Sequence, residues 1–192
     1  MLDTPMTATE TCFDSDRLIL RSWRATDLTN FTRLHANPLT MRDYRGPISA
    51  EASREKFNDY RAQYRRHGFI RWHVADKSGA FLGYVGLYPN GADHPLGVNA
   101  DIGWRLLPEA WGKGYATEAA RATLFHAFET YGLPEILAYT QAENLASQAV
   151  INRLPLHRDP TRDFVIEDEI AGTWRGMTWV ARPPGHPEGG IE

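Results

Sequence analysis

Cysteine is nearly missing from this chain: Cys12 is the only one in 192 residues. No disulfide can therefore form within the chain and no thiolate metal cluster can assemble, which favours a reducing, cytoplasmic setting. Long apolar runs are also missing. Nothing approaches the roughly 20 residues that a bilayer-spanning helix needs, and residues 1–16 lack the basic start and apolar stretch of a secretory signal. The expectation is a soluble protein with no membrane partner. A strong charge of either sign is lacking too, the formal net charge being -3, whereas nucleic-acid binders usually carry a basic excess. The one basic cluster, Arg61, Arg65 and Arg66, has no companion patch with interleaved aromatics and reads as a solvated helix face. His35, His67, His73, His94, His126, His157 and His186 are scattered without ligand spacing. There is no His-Glu-x-x-His, no Cys-x-x-Cys and no Gly-x-Ser-x-Gly, so metal-site and hydrolase readings have no support and no metal is expected.

What the chain does contain is enough apolar material for one core, with 42% hydrophobic and 11% aromatic residues. Residues 1–15 are polar and aperiodic, and 183–192 are rich in Pro and Gly. Both read as flexible tails around a single domain at 16–182. Arg17-Leu18-Ile19-Leu20-Arg21 reads as a short strand. Leu28, Phe31, Leu34 and His35 then recur at helical spacing up to Asn37-Pro38. A second helix over about 50–67 places Phe57, Tyr60 and Tyr64 on one face before Gly68. Three β-like runs follow at 69–75, 81–88 and 98–106, separated by turn residues, and predict an antiparallel meander. Ala116, Ala120, Leu124, Ala127, Phe128 and Tyr131 trace a long helix that Gly132 and Pro134 end. A strand at 136–140, a short helix at 145–154 and two strands at 164–169 and 173–181 complete the chain. This mixed order argues for an α+β fold, a sheet with helices on its faces, and not a doubly wound parallel sheet.

The informative junction runs from Asp101-Ile102-Gly103-Trp104-Arg105-Leu106 through Pro108-Glu109-Ala110 to Trp111-Gly112-Lys113-Gly114-Tyr115-Ala116. A strand that turns through glycines into a helix presents unpaired N–H groups where the helix dipole also favours negative charge, which suits a phosphate. Gly112 and Gly114 let the backbone close around such a group, and Lys113 adds charge. A tight connection with glycines required only by its dihedrals is the alternative. A Walker loop does not fit, because no Gly-x-x-x-x-Gly-Lys-Ser/Thr is present. A dinucleotide fingerprint fits poorly, because Thr117 stands where a third glycine belongs.

With its flanks, this junction resembles the GNAT acetyltransferase superfamily, and within it the RimJ/RimL branch of ribosomal-protein N-terminal acetyltransferase-like proteins. Four motifs carry the resemblance: Asp16-Arg17-Leu18-Ile19-Leu20-Arg21; Asp101-Ile102-Gly103-Trp104; Pro108 through Ala119; and Glu143-Asn144-Leu145-Ala146-Ser147. They span nearly the whole chain, and the third is the most specific. The resemblance implies a mixed, mostly antiparallel central sheet with helices on both faces and acetyl-CoA as co-substrate. Backbone N–H groups from Gly112 to Ala116 (Gly112, Lys113, Gly114, Tyr115, Ala116), beside Trp111, would hold the pyrophosphate. Trp104, Arg105 and Leu106 would pair with the pantetheine arm, and a splay between this strand and 136–140 would admit the thioester. Asn144 matches an asparagine that contacts the cofactor arm, and it is equally placed to cap the helix starting at Leu145. Dimers are frequent in that branch. Two departures stand out: Ile151 occupies the position of the family's tyrosine proton donor, and Pro155 reshapes the turn after the same helix.

Direct acetyl transfer to an amine needs proton removal and oxyanion stabilisation but no protein nucleophile. Asp101, on one strand face with Gly103 and Arg105, is the first candidate for general base, and a structural salt bridge with a neighbouring arginine is an equal alternative. Glu143 is the second candidate. Ser147 stands where the family places a residue assisting the thiol, and Tyr139 is a further donor. A protein α-amine, with an intrinsic pKa of about 7.7–8.0 against about 10.4 for lysine, needs only a weak base. The acceptor is then a primary amine, on a peptide N-terminus or a small molecule, in a groove between the early helices and the last two strands. Trp23, Tyr44, Trp72, Trp174 and Trp179 are candidate walls for it, though core burial explains most of them as well. A non-catalytic acyl-CoA-binding or interaction domain is the competing function.

Overall fold

A computed structural model describes residues 10–43, 46–168 and 172–185. Among them the order is β1 (Cys12–Asp14), β2 (Leu18–Arg21), α1 (Leu28–Ala36), α2 (Ala50–His67), β3 (Arg71–Asp76), β4 (Phe81–Asn90), β5 (Asn99–Leu106), α3 (Tyr115–Tyr131), β6 (Ile136–Thr140), α4 (Leu145–Ile151), β7 (His157–Arg158), β8 (Phe164–Asp168) and β9 (Gly172–Ala181). The strands form one sheet in the order β1-β2-β3-β4-β5-β6-β9-β7, with β8 paired to β9. Every pairing is antiparallel except β5 with β6.

Local chemistry explains where the helices stop and start. Asn37, ahead of Pro38, is extended at ψ 119 and ends α1, because a residue before proline is pushed out of the helical region. Ser49 caps α2 by accepting from the Ala52 N–H, and Gly68, at φ 78, closes it with a bond to the Tyr64 carbonyl. Cross-strand register places Trp72 opposite Val85 and His73 opposite Tyr84, so Trp72 and Tyr84 point to opposite faces of the sheet. Phe31 of α1 and Tyr60 of α2 lie on Tyr84, whereas His126 of α3 lies edge-on to Trp72. Helices thus cover both faces of an α+β sheet. The core between them is dominated by β-strand aliphatics and a cluster of aromatics around Phe31, Phe57 and Trp23.

The structure differs from the sequence reading in two places and decides between two readings in a third. Cys12–Asp14, assigned by sequence to a flexible tail, pairs with β2 along Cys12/Arg21 to Asp14/Ile19. The two-residue strand β7 had no pattern of its own and exists through its pairing with β9. Trp23, Trp72 and Trp179 are buried in the core and do not form groove walls; Tyr44 lies outside the described residues. No helix among the described residues is long and apolar enough to cross a membrane.

Candidate active site

The sheet opens where its one parallel pairing occurs. Between β5 and β6 the register holds a single partnership, Asp101 opposite Leu137, after which the two strands run on without further pairing. β5 then passes through a short 3-10 turn at Pro108–Ala110 into the glycine loop and α3. Gly112 (φ 71) and Gly114 (φ 79) are both left-handed, a conformation that side chains strain to adopt. Gly114 occupies the N-cap of α3 without a side chain to offer, and the first helical bond runs from the Glu118 N–H to the Gly114 carbonyl. The N–H groups before it have no acceptor within the helix. They open onto a cavity of about 1040 Å³ that extends from this loop past Trp104, Arg105 and Leu106 to Asn144 and Ser147 on α4.

Most of the cofactor residues named from sequence line this one cavity. The exception is Lys113, whose carbonyl instead accepts from Arg17 Nη1 at 3.0 Å. The Trp111 indole donates to the Leu106 carbonyl at 2.8 Å and carries the Arg42 guanidinium over its ring at 5.2 Å. Arg17 ties the start of β2 to α3 through Glu118, at 2.6 Å, and covers the Tyr115 ring. Arg17, Arg42, Arg121 and Arg153 all border the cavity. An uncapped helix N-terminus, two open glycines and four guanidinium groups suit the phosphates of a coenzyme A molecule. Arg17 stands in the first of the four motifs, but none of the four arginines was marked by sequence as a phosphate contact, because each is brought in from a separate element.

The candidate catalytic residues are dispersed differently. Asp101 is buried and ion-paired to Arg71, with Nη2 to Oδ2 at 2.6 Å. Tyr139 donates to its Oδ1 at 2.9 Å and Asn90 at 3.0 Å. Gly103 makes this possible: a Cβ there would stand 2.9 Å from the Arg71 guanidinium carbon, so the missing side chain is what lets Arg71 lie across β5 and reach Asp101. Burial works against the Arg71 charge, but Asp101, with nearby tyrosines, outweighs it and holds the guanidinium well above its ordinary pKa. Burial, reinforced by Asp101, raises the Tyr139 phenol well above its usual range and keeps it protonated. Glu143 is exposed and outside the cavity wall. Asn144 accepts from the Ser147 N–H at 3.1 Å, acting as the N-cap of α4 while also facing the cavity. Ile151, in the position of the family tyrosine, is buried in the core.

A family profile described as an acetyltransferase (GNAT) domain matches residues 17–157. A protein from Bacillus subtilis (strain 168), YkkB, itself uncharacterised, is 31% identical over 149 residues, covering 77% of this chain and 86% of the relative. Among solved structures, an acetyltransferase from Agrobacterium tumefaciens str. C58 superposes with a TM-score of 0.74 at 24% identity, covering 90% of this chain and 95% of that one. The structure of RimL, a ribosomal L7/L12 alpha-N-protein acetyltransferase, in complex with coenzyme A superposes at 0.71 with 16% identity, covering 90% and 98%. The chain belongs to the GNAT acetyltransferase family, and its sheet and helices are those of that fold. It is an acetyltransferase.

Proposed function

We propose that this protein is a cytoplasmic N-acetyltransferase of the RimJ/RimL kind. Residues 16–182 form its acetyltransferase domain, and it transfers the acetyl group of acetyl-CoA directly to a primary amine, with a protein or peptide α-amine as the preferred acceptor. The observation that carries this is the uncapped N-terminus of α3, with left-handed Gly112 and Gly114, opening onto a cavity that leads to the parting of β5 and β6.

Acetyl-CoA supplies an electrophilic thioester and a thiol leaving group. The loop from Gly112 to Ala116 offers N–H donors to its pyrophosphate, and the unpaired β6-facing edge of β5 offers the arm a strand-like partner. Asn144 and Ser147 stand on the opposite rim. Asp101 binds Arg71, Tyr139 and Asn90 into a rigid block beside the opening, which keeps β5 and β6 in place where they diverge. An α-amine suits a site whose carboxylates are hydrogen-bonded, because such a group is substantially neutral near pH 8 and needs only a weak base. The structurally similar RimL is an alpha-N-protein acetyltransferase, which agrees with that choice.

The test is thiol release from acetyl-CoA across a panel of peptides and small amines. The wild-type chain turns over. Gly114→Glu loses turnover, because it strains φ 79 and sets a carboxylate among the phosphate donors. Calorimetry that detects no acetyl-CoA binding to the wild type sinks the proposal. Binding without turnover on any amine points instead to the acyl-CoA-binding reading that the buried Ile151 favours.

A further inference from the structure

Asp43 was not marked by any sequence pattern. It lies on the connection between α1 and α2, yet its carboxylate reaches across the opening of the sheet. Arg105 Nη1, on β5, meets Asp43 Oδ1 at 2.8 Å, and Arg105 Nη2 meets Oδ2 at 3.4 Å. From the other rim, the Asn144 amide at the cap of α4 approaches Oδ2 at 3.5 Å. The Thr40 carbonyl also accepts from Arg105, so the α1–α2 connection is anchored to β5 at two points. Asp43 therefore links β5 to the cap of α4 across the cavity.

Resting on the acetyltransferase reading above, we infer that Asp43 is the carboxylate that receives the acceptor amine and takes its proton. Three observations support this. Among the described residues, the carboxylates lining the cavity are Asp16, Asp43 and Glu118. Ser15 and Arg17, on either side of Asp16, both bind Glu118 in the first turn of α3, so Asp16 and Glu118 belong to the phosphate end. Asp101 has the right strand position, but its side chain is 3% exposed and already accepts from Arg71, Tyr139 and Asn90. The Asp43 side chain is 39% exposed, on the same side of β5 as Asp101, because Arg105 alternates with Gly103 and Asp101. Each of its oxygens can accept more than the bond drawn from Arg105.

The chemistry balances without a further reactant. The neutral amine forms its bond to the acetyl carbon and becomes positively charged, the carbon–sulfur bond breaks, and a water protonates the sulfur. The nitrogen's surplus proton, made acidic by that charge, passes to Asp43 and then to solvent. Arg105 fixes the carboxylate and Asn144 limits its swing, so the group meets the amine in one orientation.

Kinetics and calorimetry on the full chain test this together. Asp43→Asn and Asp43→Ala should each lower kcat by about 100-fold, the scale of a lost general base, with acetyl-CoA affinity unchanged. Added formate should restore part of the Asp43→Ala rate, since a small carboxylate can enter the vacated space. Unchanged kcat in both variants overturns the assignment. So does a rate loss matched by lost acetyl-CoA affinity, or a loss that formate leaves untouched. A wild type that binds no acetyl-CoA overturns the acetyltransferase reading and this one with it, and is seen in calorimetry before any variant is made.

Discussion

Arg71 illustrates how far one side chain reaches. It enters on β3, crosses β4 and β5 over Gly103, and stacks on the Tyr88 ring on its way to Asp101. Such a buried pair contributes little compared with an apolar pair of the same shape, but removing one partner leaves the other charge buried alone. Arg71→Met should therefore cost about 3–5 kcal/mol of stability, measured as a drop in the urea midpoint at unchanged slope. Adding Asp101→Leu to Arg71→Met should recover much of that loss. If the single variant is as stable as the wild type, the pair is not what holds β5 here. Asp101 was visible in the sequence as a strand residue with two readings, base or salt bridge, and the geometry contains the second. Its partner was not visible, because Arg71 is 30 residues away and only the sheet register brings the two together.

Among the elements, α3 is the one that turns an uncapped, glycine-flanked N-terminus to the cavity. Its C-terminus is closed by Gly132 at φ 59 and its buried face is lined by Ala119, Ala120, Leu124 and Ala127, but its N-terminus has no capping side chain. An anion seated there would act as the cap. Ligand at about 100 times its dissociation constant stabilises a fold by about 2.7 kcal/mol, which for a chain of this size raises the melting temperature by roughly 5–10 °C. Coenzyme A should produce that shift and NAD or ATP should not; an equal shift with all three would argue against a site shaped for coenzyme A. The glycine loop, α3 and the meander before it were legible because breakers, caps and periodicity are local properties. β1, β7 and the placement of Asp43 were not. A three-residue strand, a two-residue strand and a loop carboxylate acquire their roles from partners distant in sequence, and no local pattern encodes those partners.

At the scale of the whole molecule, burial of neutral histidines makes the fold sensitive to acid. His35 of α1 and His73 of β3 lie in the aromatic core, and both are depressed to about 4, His35 by burial and His73 by burial together with Arg21. Their Nε2 and Nδ1 atoms, respectively, have no hydrogen-bond partner among the described residues. The unfolded chain binds these protons near pH 6.5 and the native chain does not, so stability rises with pH between about 4 and 6.5 and is lost as pH falls through that window. Each histidine contributes up to about 1.4 kcal/mol per pH unit within it. Urea midpoints should fall on going from about pH 7 to pH 5, and fall less in His35→Leu; identical slopes in the two proteins would remove His35 from the account. The sheet itself is two plates, β1 to β5 and β6 to β9, and among the described residues the rung at Asp101 and Leu137 is the one partnership between them. A seam so thinly stitched leaves main-chain groups that a polar visitor can complete. Whatever lies in it stitches the plates together, so occupancy and cohesion rise together, and a slow amide-exchange signal along β5 and β6 would report the visitor's presence without following any reaction.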